Sequence, residues 1–190
     1  MQSILILNGS PSGRKGNCHK LILKLKKLLS PKCKSEIVHL AEVKSFRSVF
    51  KAVEKAQGIM FVTGTYWDSW GSPLQKFLEE GTDLEGTPAL MGKPCAVVVL
   101  KHSVGGKGVL SRLQGVLSTM GLLIPPMSGM VYSLVSDISM KAPKTLHQDD
   151  LWSLEDLKVV LNNFETALGF SVNWQAWPVD RKNFRKTWVK

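Results

Sequence analysis

Near the start of the chain, Ile4-Leu5-Ile6-Leu7 runs directly into Asn8-Gly9-Ser10-Pro11-Ser12-Gly13-Arg14-Lys15-Gly16-Asn17, after which an amphipathic helical pattern begins. The apolar run is too short for a helix and lacks alternation, which predicts a strand buried on both faces of a parallel sheet. The residues after it are small, polar and rich in glycine. Such a loop points backbone N–H groups into one concavity at a helix N-terminus, where the helix dipole favours a phosphate. An ordinary turn between a strand and a helix has a similar composition and is the alternative.

Strand-like and helix-like segments alternate along the rest of the chain. Ser45, Ser72 and Ser153 are placed to cap helices, and Gly58 to end one. This alternation predicts a parallel α/β sheet with right-handed crossovers. The predicted strands are 4–7, 36–40, 59–62, 95–100 and a last strand over 122–124 and 130–135, interrupted at Pro125-Pro126; the predicted helices are 17–29, 46–57, 74–80, 109–120 and a final one between 153 and 169.

Two further loops follow predicted strands and should face the same crevice, because the carboxyl ends of parallel strands meet at one edge of the sheet. The loop 63–73 is rich in hydroxyl and aromatic side chains, and the loop 101–108 is rich in glycine. Trp67 and Trp70 could form a wall for a planar ring or could pack in the core or an interface. His102 could donate to a ligand or be incidental.

The first loop closely resembles the phosphate loop of the NADPH-dependent FMN reductase-like family, a branch of the flavodoxin-like proteins. Ser72-Pro73-Leu74-Gln75-Lys76 is similar to the helix start that follows the flavin-ring loop of that family, and Gly105-Gly106 resembles its third flavin-contacting loop. Two positions depart from the pattern. Cys18 stands where relatives commonly have Ser or Thr, and Gly64 stands where many have Pro.

The resemblance implies a doubly wound, flavodoxin-like α/β fold: a five-stranded parallel sheet in the order 2-1-3-4-5, with helices on both faces. It also implies FMN as the cofactor and NADPH or NADH as co-substrate. No catalytic side chain is expected, because the flavin carries the chemistry. No metal site is expected either, because the cysteines lack metal-ligand spacing. The implied cofactor-binding residues are Ser10, Ser12, Arg14, Gly16, Asn17 and Cys18 in the first loop, with Thr65, Tyr66, Trp67 and Asp68 facing Ser103, Gly105 and Gly106 at the isoalloxazine ring.

The activity implied by the resemblance is NAD(P)H-dependent reduction. Hydride passes from the nicotinamide to the flavin and then to a small acceptor: a quinone, an azo or nitro compound, or free flavin. Two alternatives share the fold. One is a flavodoxin-like electron carrier, and the other is a non-catalytic FMN-binding or regulatory protein.

Length and composition favour a single core. The chain has 190 residues, of which 44% are hydrophobic, and no apolar run is long enough to span a bilayer. We therefore expect a cytoplasmic protein with one domain. The family resemblance implies that residues 1–170 form a flavodoxin-like FMN-binding domain, which a basic, aromatic extension over 171–190 follows. Three scattered cysteines have no metal-ligand spacing.

The net charge of +10 is unevenly distributed. Lys20, Lys24 and Lys27 recur at helical spacing and are interpreted as an exposed stripe on the first helix. The extension 171–190 mixes Trp and Phe with Arg and Lys. The resemblance favours a homodimer or homotetramer in which this extension packs on its own domain or on a neighbour. Contact with nucleic acid or an anionic membrane is the alternative.

Overall fold

The fold is built on a parallel sheet, seen in a computed structural model that describes residues 1–135, 138, 152–178 and 189. The strands are β1 (Gln2–Asn8), β2 (Cys33–His39), β3 (Gly58–Gly64), β4 (Cys95–Lys101) and β5 (Gly129–Ser133). They are hydrogen-bonded in the order β2-β1-β3-β4-β5, and every neighbouring pair is parallel. The predicted sheet order is confirmed.

Helices in the described part of the chain cover the two faces of the sheet. They are α1 (Asn17–Leu28), α2 (Phe46–Lys55), α3 (Ser72–Glu80), α4 (Gly106–Thr119) and α5 (Leu157–Ala167). Alternate residues of β1 point to opposite layers: Ile4 and Ile6 pack with α1 and α5, whereas Leu5 and Leu7 pack with α2, α3 and α4. All four side chains are buried, which is why the run is apolar without alternation.

Several predicted element boundaries were wrong. The helix α2 ends at Lys55, because Ala56 is already extended, and Gly58 begins β3 and does not end the helix. A Cβ at Gly58 would lie 2.7 Å from Cζ of Phe164, so glycine there lets α5 approach the sheet. Ser72 lies within α3, whose N-cap is Gly71.

The other boundary errors concern α4, β2 and the last strand. The helix α4 begins at Gly106, three residues before the predicted start at 109, because Gly105 adopts a φ of +81° and caps it. The strand β2 begins at Cys33, since residues 33–39 pair in register with β1. The strand β5 ends at Ser133, and a helical turn follows it at Leu134.

Two predicted caps and the interrupted last strand are confirmed. The Ser45 side chain accepts a hydrogen bond from Arg47 N (3.3 Å), and the Ser153 side chain accepts one from Glu155 N (3.1 Å). Before the Pro125-Pro126 interruption, Leu123 O accepts from Cys95 N at 2.8 Å, so the chain joins the sheet briefly there and again in β5.

The described residues that follow α5 pack against the rest of the chain. Gly92, with a φ of +72°, lies directly against the ring of Trp174, where a Cβ would be 2.3 Å from Cδ1. The Trp177 indole N–H donates to Glu85 Oε1 at 3.1 Å. The predicted loop 143–150 and residues 179–188 lie outside the described residues. No helix within the described ranges is both long and apolar enough to cross a bilayer.

The contact between α5 and the sheet should be a main source of stability. Phe164 is fully buried, and Phe164→Ala should lower the free energy of unfolding by about 3–5 kcal/mol through lost burial and a new cavity. Val159 on the same helix is 46% exposed, so Val159→Ala should change it by less than about 0.5 kcal/mol. Urea denaturation of both variants measures the difference, and equal effects would contradict the packing described.

Candidate functional site

One buried side chain holds the loop between β1 and α1. Asn8 is fully buried, and its amide nitrogen donates to Gly13 O (3.0 Å) and to Nδ1 of His39 (2.9 Å). Its amide oxygen accepts from Ser10 N at 3.0 Å. Since the amide nitrogen can only donate, the His39 Nδ1 is the acceptor and the ring is neutral. The amide therefore fixes both ends of the first part of the loop and joins it to β2.

Two glycines let the loop close tightly. Gly13 has a φ of +49°, a left-handed conformation that favours glycine, and a Cβ there would lie 2.4 Å from Glu42 Oε1. A Cβ at Gly16 would lie 2.7 Å from the Cβ of Ser12. The concavity between Ser12 and Gly16 thus depends on the missing side chain.

The loop ends at the N-terminus of α1. No described residue accepts from the backbone N–H groups of Asn17 and Cys18, as expected for the first turn of a helix. Cys18 is buried, and burial raises its pKa to about 11, so the thiol is neutral at pH 7. This corner offers N–H donors beside a neutral thiol, and such a corner can bind an anion.

The loop after β3 forms a two-residue hairpin. Tyr66 and Ser69 exchange two backbone hydrogen bonds of 2.8 and 2.9 Å, and Trp67 and Asp68 between them have φ angles of +48° and +55°. This is the geometry of a type I′ turn, which is uncommon for Trp. The Tyr66 hydroxyl is 2.9 Å from Ser10 Oγ, so the hairpin leans over the loop after β1.

The loop after β4 supports the hairpin from the other side. Arg112 on α4 donates to the Asp68 carbonyl, and a Cβ at Gly105 would lie 2.0 Å from Asp68 Oδ1. Trp67 is fully exposed at the hairpin tip. Trp70 is half-buried against the core and donates to Gln75 Oε1 at 2.9 Å, so the packing interpretation holds for Trp70.

These loops surround a cleft of about 590 Å³, within the size range of small-molecule and cofactor sites. The predicted residues that line it are Ser10, Ser12, Gly16, Asn17, Cys18, Thr65 and Tyr66. The predicted residues that do not line it are Arg14, Trp67, Asp68, Ser103, Gly105 and Gly106.

Local contacts explain why most of the predicted residues that do not line the cleft lie outside it. Arg14 is exposed and turned toward Glu42, to which its backbone N–H and its Nε both donate at 2.8 Å. Trp67 and Asp68 occupy the hairpin tip, and Gly105 lies behind it. All three loops contribute to the cleft, but the loops after β3 and β4 do so only through the residues nearest the strand ends.

The charged residues lining the cleft are all basic: Lys15, Lys20, Lys24 and Lys101, accompanied by His102. No described Asp or Glu lines it. In addition, the buried Thr65 hydroxyl has no hydrogen-bond partner among the described residues. The positive lining, the unpartnered hydroxyl and the concavity at Gly16 all fit a polar, anionic ligand.

Sequence reasoning missed part of the wall. The spacing of Lys20 and Lys24 predicts a solvated stripe, and the predicted site does not include Lys101, Tyr132, Leu134 or Leu154, all of which line the cleft. The available signal was the spacing of Asn17, Lys20 and Lys24, which places all three on one flank of α1.

A family model described as NADPH-dependent FMN reductase matches residues 2–133. The chain belongs to this family. Membership makes the protein a flavin-dependent oxidoreductase with a flavodoxin-like fold, and it confirms the family resemblance seen in the three loops. No curated protein sequence matches the chain significantly.

Solved structures share the fold at low sequence identity. An NADH:FMN oxidoreductase in its apo form is 19% identical, with a TM-score of 0.71 and 90% of this chain and 92% of that chain covered. The flavoenzyme NAD(P)H:(acceptor) oxidoreductase FerB from Paracoccus denitrificans is 17% identical, with a TM-score of 0.58 and coverage of 88% and 96%. A flavodoxin from the domain Archaea is 13% identical, with a TM-score of 0.55 and coverage of 88% and 99%.

Protonation of His39 should weaken the loop. Burial, the main cause, lowers the pKa of His39 below 6.5, so the unfolded chain takes up the proton first. The free energy of unfolding should therefore be highest above pH 6.5 and should fall as the pH drops toward the lowered pKa.

Urea denaturation between pH 5 and 8 measures this dependence. His39→Gln should flatten the curve just below pH 6.5, because Gln can still accept from Asn8 but does not titrate. His102→Gln, at an exposed position, is the control and should retain the wild-type slope. The same slope in the His39 variant would contradict the role given to this ring.

Proposed function

We propose that the protein transfers hydride from NADPH or NADH, through bound FMN, to a small acceptor such as a quinone, an azo or nitro compound, or free flavin. The observation that carries this proposal is the single cleft in which the loops after β1, β3 and β4 meet and whose described charged lining residues are all basic. Membership in the FMN reductase family supports the choice of flavin for that cleft.

The loop after β1 would hold the FMN phosphate. The backbone N–H groups of Asn17 and Cys18 and the hydroxyls of Ser10 and Ser12 supply donors around the concavity at Gly16. The Cys18 thiol is a weaker donor than a hydroxyl and stays neutral, so it neither repels the phosphate nor binds it strongly. Arg14 would contribute from outside the cleft, where its hydrogen bond to Glu42 stabilises the conformation of the phosphate-binding loop.

The other two loops would border the isoalloxazine ring. Thr65 offers a buried hydroxyl without a described partner, and Tyr66 offers a ring beside it. Trp67 and Asp68 on one side, and Ser103, Gly105 and Gly106 on the other, would form the outer rim. When bound, FMN accepts hydride from a nicotinamide and passes the electrons to an acceptor. The chain's own part is to bind, orient and shield the rings.

The proposed division of the chain is into one domain and one extension. Residues 1–170 would form the FMN-binding domain and 171–190 a basic, aromatic extension, in a protein that assembles as a homodimer or homotetramer. The packing of Trp174 and Trp177 on the domain supports a structural role for the start of this extension. Contact of the extension with nucleic acid or an anionic membrane is the lesser alternative.

Flavin binding is tested by placing negative charge in the loop. The double variant Ser12→Asp/Asn17→Asp should lose FMN in a fluorescence titration, because two carboxylates would face the phosphate in a site made of N–H donors. The control Ser48→Asp/Asn162→Asp adds the same charge at exposed positions on α2 and α5 and should bind FMN like the wild type. Full FMN binding by the loop variant would refute the phosphate placement.

Turnover separates a reductase from an electron carrier. FMN-loaded protein should oxidise NADPH or NADH steadily when a quinone is present, and the better nicotinamide is identified in the same assay. A carrier would bind FMN and show no such oxidation.

A further inference from the structure

The basic wall of the cleft extends well beyond the loop after β1. Lys20 and Lys24 both line the cleft and lie on the same flank of α1 as Asn17. At 1.5 Å of rise per residue, Lys24 lies about 10 Å along the helix from Asn17. The described hydrogen bonds and ion pairs include none made by either ammonium group.

A single phosphate at the start of α1 does not account for this wall. The proposed phosphate position is served by the N–H groups of Asn17 and Cys18 and by the neighbouring hydroxyls. Helix side chains lean toward the N-terminus, so Lys20 can approach that position, but Lys24 is a further turn away. FMN carries one phosphate, and its isoalloxazine ring would lie at the loops after β3 and β4.

Apolar side chains accompany the two lysines. Leu21 on α1, which is buried, and Leu154, just before α5, line the same part of the cleft. Tyr132 at the end of β5 lies on the wall as well. Charged groups beside an apolar floor suit a ligand that joins a phosphate to a flat heterocycle.

We propose that the flank of α1 carrying Lys20 and Lys24 binds a second phosphate, one carried by the adenosine half of a dinucleotide that occupies the cleft. This inference rests on the proposed function, because it takes the first phosphate to be that of a flavin. Two ligands have this chemistry: FAD, through its adenosine phosphate, and NADP(H), through its ribose phosphate. NAD(H) lacks the ribose phosphate.

The helix α1 carries lysines that line the cleft and lysines that do not, so the two kinds can be compared directly. Lys26 and Lys27 are also exposed on α1, but neither lines the cleft. Removing charge from each pair in turn changes the net charge of the protein equally. Only the pair in the cleft should matter to a ligand.

The experiment compares Lys20→Gln/Lys24→Gln with the control Lys26→Gln/Lys27→Gln by isothermal titration calorimetry. Flavin-free protein is titrated with FMN and with FAD, and FMN-loaded protein is titrated with NADP⁺ and with NAD⁺. The cleft variant should weaken binding of one phosphate-bearing dinucleotide by about two- to thirtyfold, the range for two exposed charge contacts. The loss should shrink at high salt because such contacts are screened.

The pattern of losses identifies the ligand. A loss for FAD that exceeds the loss for FMN assigns the second phosphate to the flavin cofactor, and a loss for NADP⁺ without one for NAD⁺ assigns it to the co-substrate. If the cleft variant and the control bind all four compounds equally, the inference is overturned and the proposed function stands. If the wild type binds neither FMN nor FAD, the proposed function is wrong. The inference about Lys20 and Lys24, which depends on it, is then wrong as well.

Discussion

The amide of Asn8 is the constraint on which the site depends. It is fully buried at the end of β1, and its three hydrogen bonds tie together Ser10, Gly13 and the end of β2 at His39. A buried amide without partners costs about 1–3 kcal/mol per group, so the loop cannot open without leaving several groups unpaired. The shape of the loop that leads into α1 is thus fixed by hydrogen bonds to the end of the sheet.

The other loops are built onto that corner. The Tyr66 hydroxyl reaches Ser10, and the hairpin that carries it is held by Arg112 and Gly105 from the β4 side. The three loops therefore form one connected structure at the carboxyl edge of the sheet. Left-handed backbone angles at Trp67 and Asp68 are tolerated because both neighbouring loops fix the hairpin, and such strain is concentrated at functional sites in proteins.

Local patterns made much of this fold predictable. The apolar run that begins at Ile4 predicted a strand buried on two faces. The helix caps at Ser45 and Ser153 were predictable because they depend on contacts within a few residues. Gly58 was misjudged because its role comes from Phe164, more than a hundred residues away in the chain. The family resemblance implied that Arg14 binds the cofactor, but Arg14 does not line the cleft, because Glu42, which follows β2, binds it outside.

The cleft wall was harder to predict than the loops. Lys20 and Lys24 look like an exposed stripe in the sequence, and only the position of α1 relative to β5 and α5 reveals that this flank faces a cavity. Periodicity gives the faces of a helix, but it does not distinguish a face that meets solvent from one that meets a ligand. The site residues near each strand end can be predicted from the order of the strands. The site residues farther along a helix can be identified only from the three-dimensional structure.

A comparison of FMN with riboflavin tests whether the corner at Asn17 recognises the phosphate of a flavin. The two ligands share the ring and differ in the phosphate alone. Fluorescence titration should show FMN binding about a hundredfold or more tightly, as expected for two or more hydrogen bonds to a charged group. Equal affinity for riboflavin and FMN would show that the corner at Asn17 does not recognise the flavin phosphate.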